Sequence, residues 1–151
     1  MRYDIAQVDI EAVEGEITAL MASQYEEYAA NLAKSGVVVG PFNPRRELFR
    51  TASREGWLLT WAAMQEGVMV GYLTAFLRTD LYSSEQTAAI DTVYVVPEHR
   101  RGIGLRLIKH AVPLLRERGA KRIETATSTD DRVKRVYQRA GFIPTATILY
   151  G

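Results

Sequence analysis

Residues 91–107 read Asp-Thr-Val-Tyr-Val-Val-Pro-Glu-His-Arg-Arg-Gly-Ile-Gly-Leu-Arg-Leu and hold the densest chemistry in the chain. A β-branched run stops at Pro97, a basic turn follows, and Gly102 and Gly104 open a long amphipathic segment. A strand, a glycine turn and a helix start make an anion site, because the first helical N–H groups have no partner within the helix. Without a Cβ at Gly102 and Gly104, a bulky phosphate can approach the backbone closely. Arg100 and Arg101 add positive charge at the same mouth. The pattern is that of a pyrophosphate cradle, set against the plainer reading of a tight βα turn.

Two common cradles do not fit. A Walker loop places Lys after its last glycine, and neither glycine here is followed by one. The dinucleotide fingerprint needs a third glycine, where this chain has Leu107, and a βα unit at the start of the domain rather than past its middle. What remains resembles the coenzyme A loop of the GNAT (Gcn5-related) N-acetyltransferases, Arg/Gln-x-x-Gly-x-Gly/Ala after a Leu-Tyr-Val-x-Pro-Glu strand end. Val93-Tyr94-Val95-Val96-Pro97-Glu98 matches that strand end in type. His99 stands three places before Gly102, where the family carries Arg or Gln, so the turn is one residue short. In this the chain is similar to a phage-associated subset of the family, as it is in Gly71-Tyr72-Leu73 and in Asp91 ahead of Val-Tyr-Val.

The resemblance implies acetyl-coenzyme A as co-substrate, with no metal, and direct attack by an amine on the thioester. Such a reaction needs no protein nucleophile, which agrees with a chain that has no cysteine. It implies backbone donors for pantetheine and thioester at Val93, Tyr94 and Val95. It places the phosphates on Arg100, Arg101, Gly102, Ile103, Gly104 and Leu105. The family's proton donor for the departing thiolate is a tyrosine in Asn-x-x-Ala-x-x-Leu-Tyr-x-x-x-Gly-Phe. Residues 130–142 keep Tyr137, Gly141 and Phe142 in place, with Asp130 for Asn, and Val133 and Val136 for Ala and Leu. Val133, Val136, Tyr137 and Ala140 also form one apolar helix face, so the proton-donor reading of Tyr137, which is preferred, coexists with that of a core aromatic whose phenol wants a partner.

The general base is less visible. Some members use a Glu twelve positions before the tyrosine; that place is Thr125, and Glu124 next to it points to the opposite strand face. Asp91 is the better candidate, sharing a face with Val93 and Val95 by strict alternation and able to take a proton through water. A strand-edge charge or an arginine partner is its plainer reading. Tyr25, Glu26 and Tyr82 are candidates to shape the acceptor pocket. Lys109, Arg116, Arg118, Lys121 and Arg122 read as a solvated face, with some in reach of the adenosine 3′-phosphate. Arg45, Arg46, Arg50 and Arg54 recur near helical spacing and, without interleaved aromatics, read as a solvated face too.

These residues need elements to hold them. At 151 residues the chain has the length of one domain, taken here as 1–151. A net charge of +1 favours neither nucleic acid nor an anionic membrane. His99 and His110 sit on different elements, so no metal site is expected. No apolar run reaches the roughly 20 residues of a bilayer span, and no leader is evident, which points to a reducing cytoplasm.

Periodicity predicts a strand at 2–8, a helix at 14–34, a turn-rich connector at 37–44 and a short helix at 45–54. Strands at 57–64 and 68–77 join through Gln65-Glu66-Gly67, and a third runs over 87–96. A helix at 102–118, a strand at 122–127, a helix at 132–140 and a last strand at 142–150 complete the order. Pro113 predicts a kink or early unwinding of the long helix. The order resembles the α/β GNAT fold, a mixed, mostly antiparallel sheet flanked by helices, with one C-terminal strand missing. The open edge this leaves predicts a homodimer. The reading is an N-acetyltransferase acting on a small-molecule or peptide amine; the alternative is a non-catalytic module that binds coenzyme A or a protein on the same fold.

Overall fold

A computed structural model describes residues 2–127 and 131–151. Five strands form one sheet in sequence order: β1 (Asp4–Val8), β2 (Leu58–Gln65), β3 (Val68–Thr79), β4 (Gln86–Val95) and β5 (Arg122–Thr125). Neighbours pair antiparallel except β4 and β5, which run parallel. The β2–β3 hairpin closes where sequence placed it, with Glu66 and Gly67 both at positive φ, as a tight two-residue turn demands.

Helices cover both faces. On one face α1 (Glu14–Ala33) and α2 (Arg46–Arg54) pack a cluster that includes Ile17, Ala52, Leu58, Ala62, Met69, Tyr72 and Tyr94. On the other, α3 (Ile103–Glu117) buries Ile103, Leu107, Ile108, Ala111 and Leu115 against Trp61, Leu73, Ala88, Ile90 and Val95. The last helix, α4 (Asp131–Arg139), lies beside α3 and buries Tyr137. Asp130, matched to the family's Asn, lies outside the described residues.

One expectation fails and another is narrowed. Residues 142–150 form no strand: they are almost wholly exposed, and β5 ends the sheet among the described residues. Pro144 removes an amide early in that segment, and β5 offers only four residues to pair with, too short a template for a ladder. Pro113 does not unwind α3, which continues to Glu117. Its ring is exposed, on the side where a helix bends with least cost, while Ala111 and Leu115 flank it in the core. Burial of those residues outweighs the roughly 3 kcal/mol that an interior proline costs.

Two of the four arginines in this region are held in ion pairs. Arg50 donates to Glu14 at 2.6 Å and also binds Glu47, and Arg54 holds Glu11 at 2.6 and 2.9 Å. These pairs tie α2 to α1 and the turn that precedes it.

Candidate active site

The site begins where the sheet comes apart. β4 and β5 pair over Thr87↔Arg122 to Ile90↔Thr125; there β5 ends, while β4 continues to Val95. The Thr125 hydroxyl donates to the Ile90 carbonyl at 2.9 Å, closing the ladder at its last rung. Beyond it, residues 92–95 of β4 pair with β3 alone among the described strands and turn their other edge to a gap. Val96 donates to the Val70 carbonyl, and in an antiparallel ladder such bonds alternate. Tyr94 therefore directs its amide to β3, and Val93 and Val95 direct theirs into the gap. Of the three amides named from sequence, those of Val93 and Val95 face the gap and that of Tyr94 does not.

Gly71 makes this edge possible. A Cβ there would meet the Tyr94 carbonyl oxygen at 2.8 Å, closer than real contacts allow. Sequence named this glycine without assigning it a role, although a glycine inside a strand run signals close backbone approach.

A bulge sets Asp91. Ala75 pairs with Ile90 but Thr74 with Thr92, so Asp91 is an extra residue on β4. The insertion resets alternation: Ile90 and Val95 pack on the α3 face together with Val93. The register shift means that strand alternation alone does not set the direction of Asp91. Burial above all, with a smaller contribution from this carboxylate, raises the pKa of Tyr72, which packs on the α1 face, and of Tyr137, which packs on the α3 face. Asp91 follows Ile90, the last β4 residue paired with β5, and so stands where the two strands part. Burial lifts its own pKa above the usual carboxylate value, and the Thr92 hydroxyl, 3.2 Å away, opposes that shift.

Tyr137 is 4% exposed, edge-on to Phe142 with ring centres 5.2 Å apart. Burial pushes its phenol up to about 12; the Thr125 hydroxyl beside it works the other way, and Asp91 adds to the rise. Tyr28 on α1 is also pushed up to about 12, chiefly by the Tyr150 hydroxyl at 3.4 Å, then by burial, Tyr25 and Asp91. The C-terminal segment thereby places Tyr150 beside α1, a contact that sequence reading missed.

The glycine turn behaves as expected of a helix mouth. Gly102 takes φ 85°, and the first backbone bond of α3 runs from Arg106 to the Gly102 carbonyl at 3.1 Å. The amides of Ile103, Gly104 and Leu105 precede that bond. A Cβ on Gly104 would find only ordinary contacts, with Val136 and Val95 at 3.9 Å and Val93 at 4.0 Å. The fold therefore does not need this glycine, which suits a cradle kept open for a ligand. The side chains of the turn depart from expectation. Arg100 donates to the Val95 carbonyl at 2.7 Å and to both Glu27 oxygens at 2.8 and 2.7 Å, and lies over the Tyr94 ring. Its guanidinium braces α1 against β4, and the residue lines the same cleft as Gly102 and Gly104. Arg101 is exposed and does not line the cleft, the Ile103 side chain is in the core, and His99 pairs with the Tyr3 hydroxyl at 2.8 Å.

All of this opens into one cleft of about 700 Å³, a size suited to a cofactor-like ligand. Its lining includes Tyr25, Glu27 and Tyr28 of α1, Asp91 of β4, Gly102 and Gly104 of the turn, and the α4 arginines 132, 135 and 139. Glu27 is held by Arg100, which leaves Asp91 as the carboxylate of this lining that forms no ion pair among the described residues. Glu26 and Tyr82 stay out of the cleft, and Tyr82 is 99% exposed. Glu124 pairs with Arg78, and Arg122 with Asp80 and Glu85. Among the described residues no cluster of potential metal ligands occurs, and no helix is long and apolar enough to cross a membrane.

Residues 19–142 match the acetyltransferase (GNAT) family. The chain belongs to that family. The GNAT protein is thus an acyltransferase with acetyl-coenzyme A as co-substrate. No curated protein matches it by sequence. Among solved structures it is similar to an aminoglycoside acetyltransferase from an uncultured soil metagenomic sample in complex with sisomicin, at TM-score 0.77 and 17% identity, covering 99% of this chain and 93% of that one. It is also similar to the aminoglycoside N-acetyltransferase AAC(6')-Iy in complex with CoA, at TM-score 0.73 and 19% identity over 99% and 93% of the two chains. A third is a ribosomal-protein-alanine N-acetyltransferase from Brucella melitensis biovar Abortus 2308, at TM-score 0.70 and 19% identity over 100% and 99%. At such identities these likenesses establish the GNAT fold.

Proposed function

We propose that the protein moves the acetyl group of acetyl-coenzyme A to a primary amine by direct attack in a ternary complex, and that the amine is small and cationic. The set of groups lining the cleft carries this reading. Its α4 arginines, with the first amides of α3, suit an anionic coenzyme, and the Asp91 carboxylate suits an ammonium. Bound acetyl-coenzyme A supplies a thioester whose acyl carbon accepts the amine as the carbon–sulfur bond breaks. In this reading the Val93 and Val95 amides hold the pantetheine arm along the free edge of β4. The amides of Gly102, Ile103, Gly104 and Leu105 hold the pyrophosphate, and Arg101 adds long-range attraction from outside the cleft. Asp91 draws the acceptor ammonium in and takes its proton through water, and Tyr137 donates a hydrogen bond to the departing sulfur. Aminoglycosides, the substrates of two of the similar enzymes, belong in the acceptor panel with polyamines, amino sugars and peptide N-termini. Release of free thiol from acetyl-coenzyme A that depends on one of these amines supports the reading. Tight coenzyme binding with no thiol release from any of them opposes it.

Asp91→Asn should lower kcat/KM by about 10²-fold. The base works deprotonated, and burial raises its pKa. Activity of the wild type should therefore fall as pH drops through a point above that of an ordinary aspartate, and that acid limb should vanish in the variant. A pH profile with its acid limb intact in Asp91→Asn would move the base elsewhere.

The outer edge of β5 and the exposed Ile143, Ile148 and Leu149 support self-association as a dimer. Light scattering at micromolar concentration should give twice the chain mass; a monomeric mass counts against it. We read residues 1–151 as one domain working in the cytoplasm, in keeping with a cysteine-free chain. The short His99-Arg100-Arg101 turn supports a place in the phage-associated subset.

A further inference from the structure

Three arginines of α4 occupy positions i, i+3 and i+7: Arg132, Arg135 and Arg139. At 100° per residue they fall within about 60° of one another, a single stripe about 10 Å long down the helix. All three are exposed, and all three line the cleft that holds Gly102 and Gly104. Val133, Val136 and Tyr137, on the adjoining face of the same helix, line it too. The wall is therefore half apolar and half cationic. Among the described residues neither Arg135 nor Arg139 enters an ion pair, unlike Arg50, Arg54, Arg78, Arg100 and Arg122. Like charges at this spacing repel and weaken an isolated helix. An anion set against the stripe offsets that repulsion.

We propose that Arg135 and Arg139, with Arg132 at their border, form a subsite for a phosphomonoester, the 3′-phosphate on the ribose of coenzyme A. This rests on the acetyltransferase reading and adds to it the chain's own means of selecting the phosphorylated coenzyme. The glycine turn on α3 provides amides for one diphosphate, and the pantetheine arm carries no charge for the stripe to meet. A second, doubly charged phosphate on the same ligand matches a second cationic element on a separate helix. Lys109, Arg116, Arg118 and Lys121, which sequence offered for this phosphate, do not line the cleft. Arg122 is held by Asp80 and Glu85.

The test is calorimetric titration of the full-length protein with coenzyme A and with 3′-dephospho-coenzyme A, at low and high salt. The wild type should prefer coenzyme A by about tenfold or more, a preference that shrinks as salt rises. The double variant Arg135→Gln/Arg139→Gln should bind dephospho-coenzyme A as the wild type does, with its preference reduced to within about twofold. Both changes are on the exposed face of α4, and thermal melting confirms the fold. Equal wild-type affinity for the two ligands overturns the subsite. So does a double variant that weakens both ligands by the same factor, which would assign the stripe to the pyrophosphate. A protein that binds neither ligand brings down the acetyltransferase reading itself, an outcome distinct from the other two.

Discussion

Gly104→Glu should abolish binding of coenzyme A and acetyl-coenzyme A alike, in a protein that melts no lower than the wild type. Two effects of opposite sign meet at this position. In the helix, replacing glycine relieves a conformational cost of roughly 0.5–1 kcal/mol, and a carboxylate in the first turn is favoured by the helix dipole. A Cβ there meets nothing closer than 3.9 Å, and the longer side chain has the cleft to extend into. At the cradle the same carboxylate fills the space beside the Ile103 and Leu105 amides and presents negative charge to the incoming phosphates. Lost amide contacts together with repulsion amount to roughly 4 kcal/mol, or about 10³-fold in affinity. Calorimetry and a thermal melt on one preparation read both signs. Gly104→Ala should fall between, stabilised and only partly impaired. Undiminished affinity in folded Gly104→Glu would remove the pyrophosphate from this turn.

The glycine turn was legible in sequence because its signal is local. Strand, proline, arginines and glycines lie within a dozen or so residues, and each agrees with the others about what backbone must follow. The helices and the β2–β3 hairpin were legible for the same reason, since periodicity and turn chemistry act over short spans. Asp91 was named, but its placement was not foreseen. A bulge arises from pairing with Thr74 and Ala75 on β3, and alternation within one strand carries no trace of it. Arg100 was assigned to the phosphates on its neighbours in the chain; its partner, Glu27, comes from a helix 73 positions away. The α4 stripe could have been found from its i, i+3, i+7 spacing, but a row of exposed arginines looks the same whether it faces bulk water or a cleft. The segment after Gly141 was misread because a run with Ile143, Ile148 and Tyr150 resembles a strand. A strand needs a partner edge, and four residues of β5 do not provide enough of one.

Tyr137→Phe should lower turnover by about 10²-fold, with little change in acetyl-coenzyme A affinity or melting temperature. The size follows from the phenol's own acidity. Burial holds it near 12, so the hydroxyl keeps its proton throughout the working range. A thiol titrates near 8.5, and full transfer from Tyr137 to a departing thiolate would be uphill by roughly three to four pKa units. The useful interaction is then a hydrogen bond that strengthens as charge grows on sulfur, which places the effect at the lower end of the 10²- to 10⁴-fold expected of general acids. It also makes the deficit uniform with pH, since no form of the phenol titrates below about pH 10. The small stability cost has a structural reason. Thr125, the hydroxyl beside the phenol, already donates to the Ile90 carbonyl, so removing the Tyr137 oxygen strands no buried donor. Had Tyr137 been the sole partner of a buried group, the loss would be about 1–3 kcal/mol and activity per folded molecule would survive. A Tyr137→Phe protein that melts lower while turning over at the wild-type rate would therefore make the residue a core aromatic. A constant melting temperature with a pH-independent drop in kcat would make it the donor to sulfur.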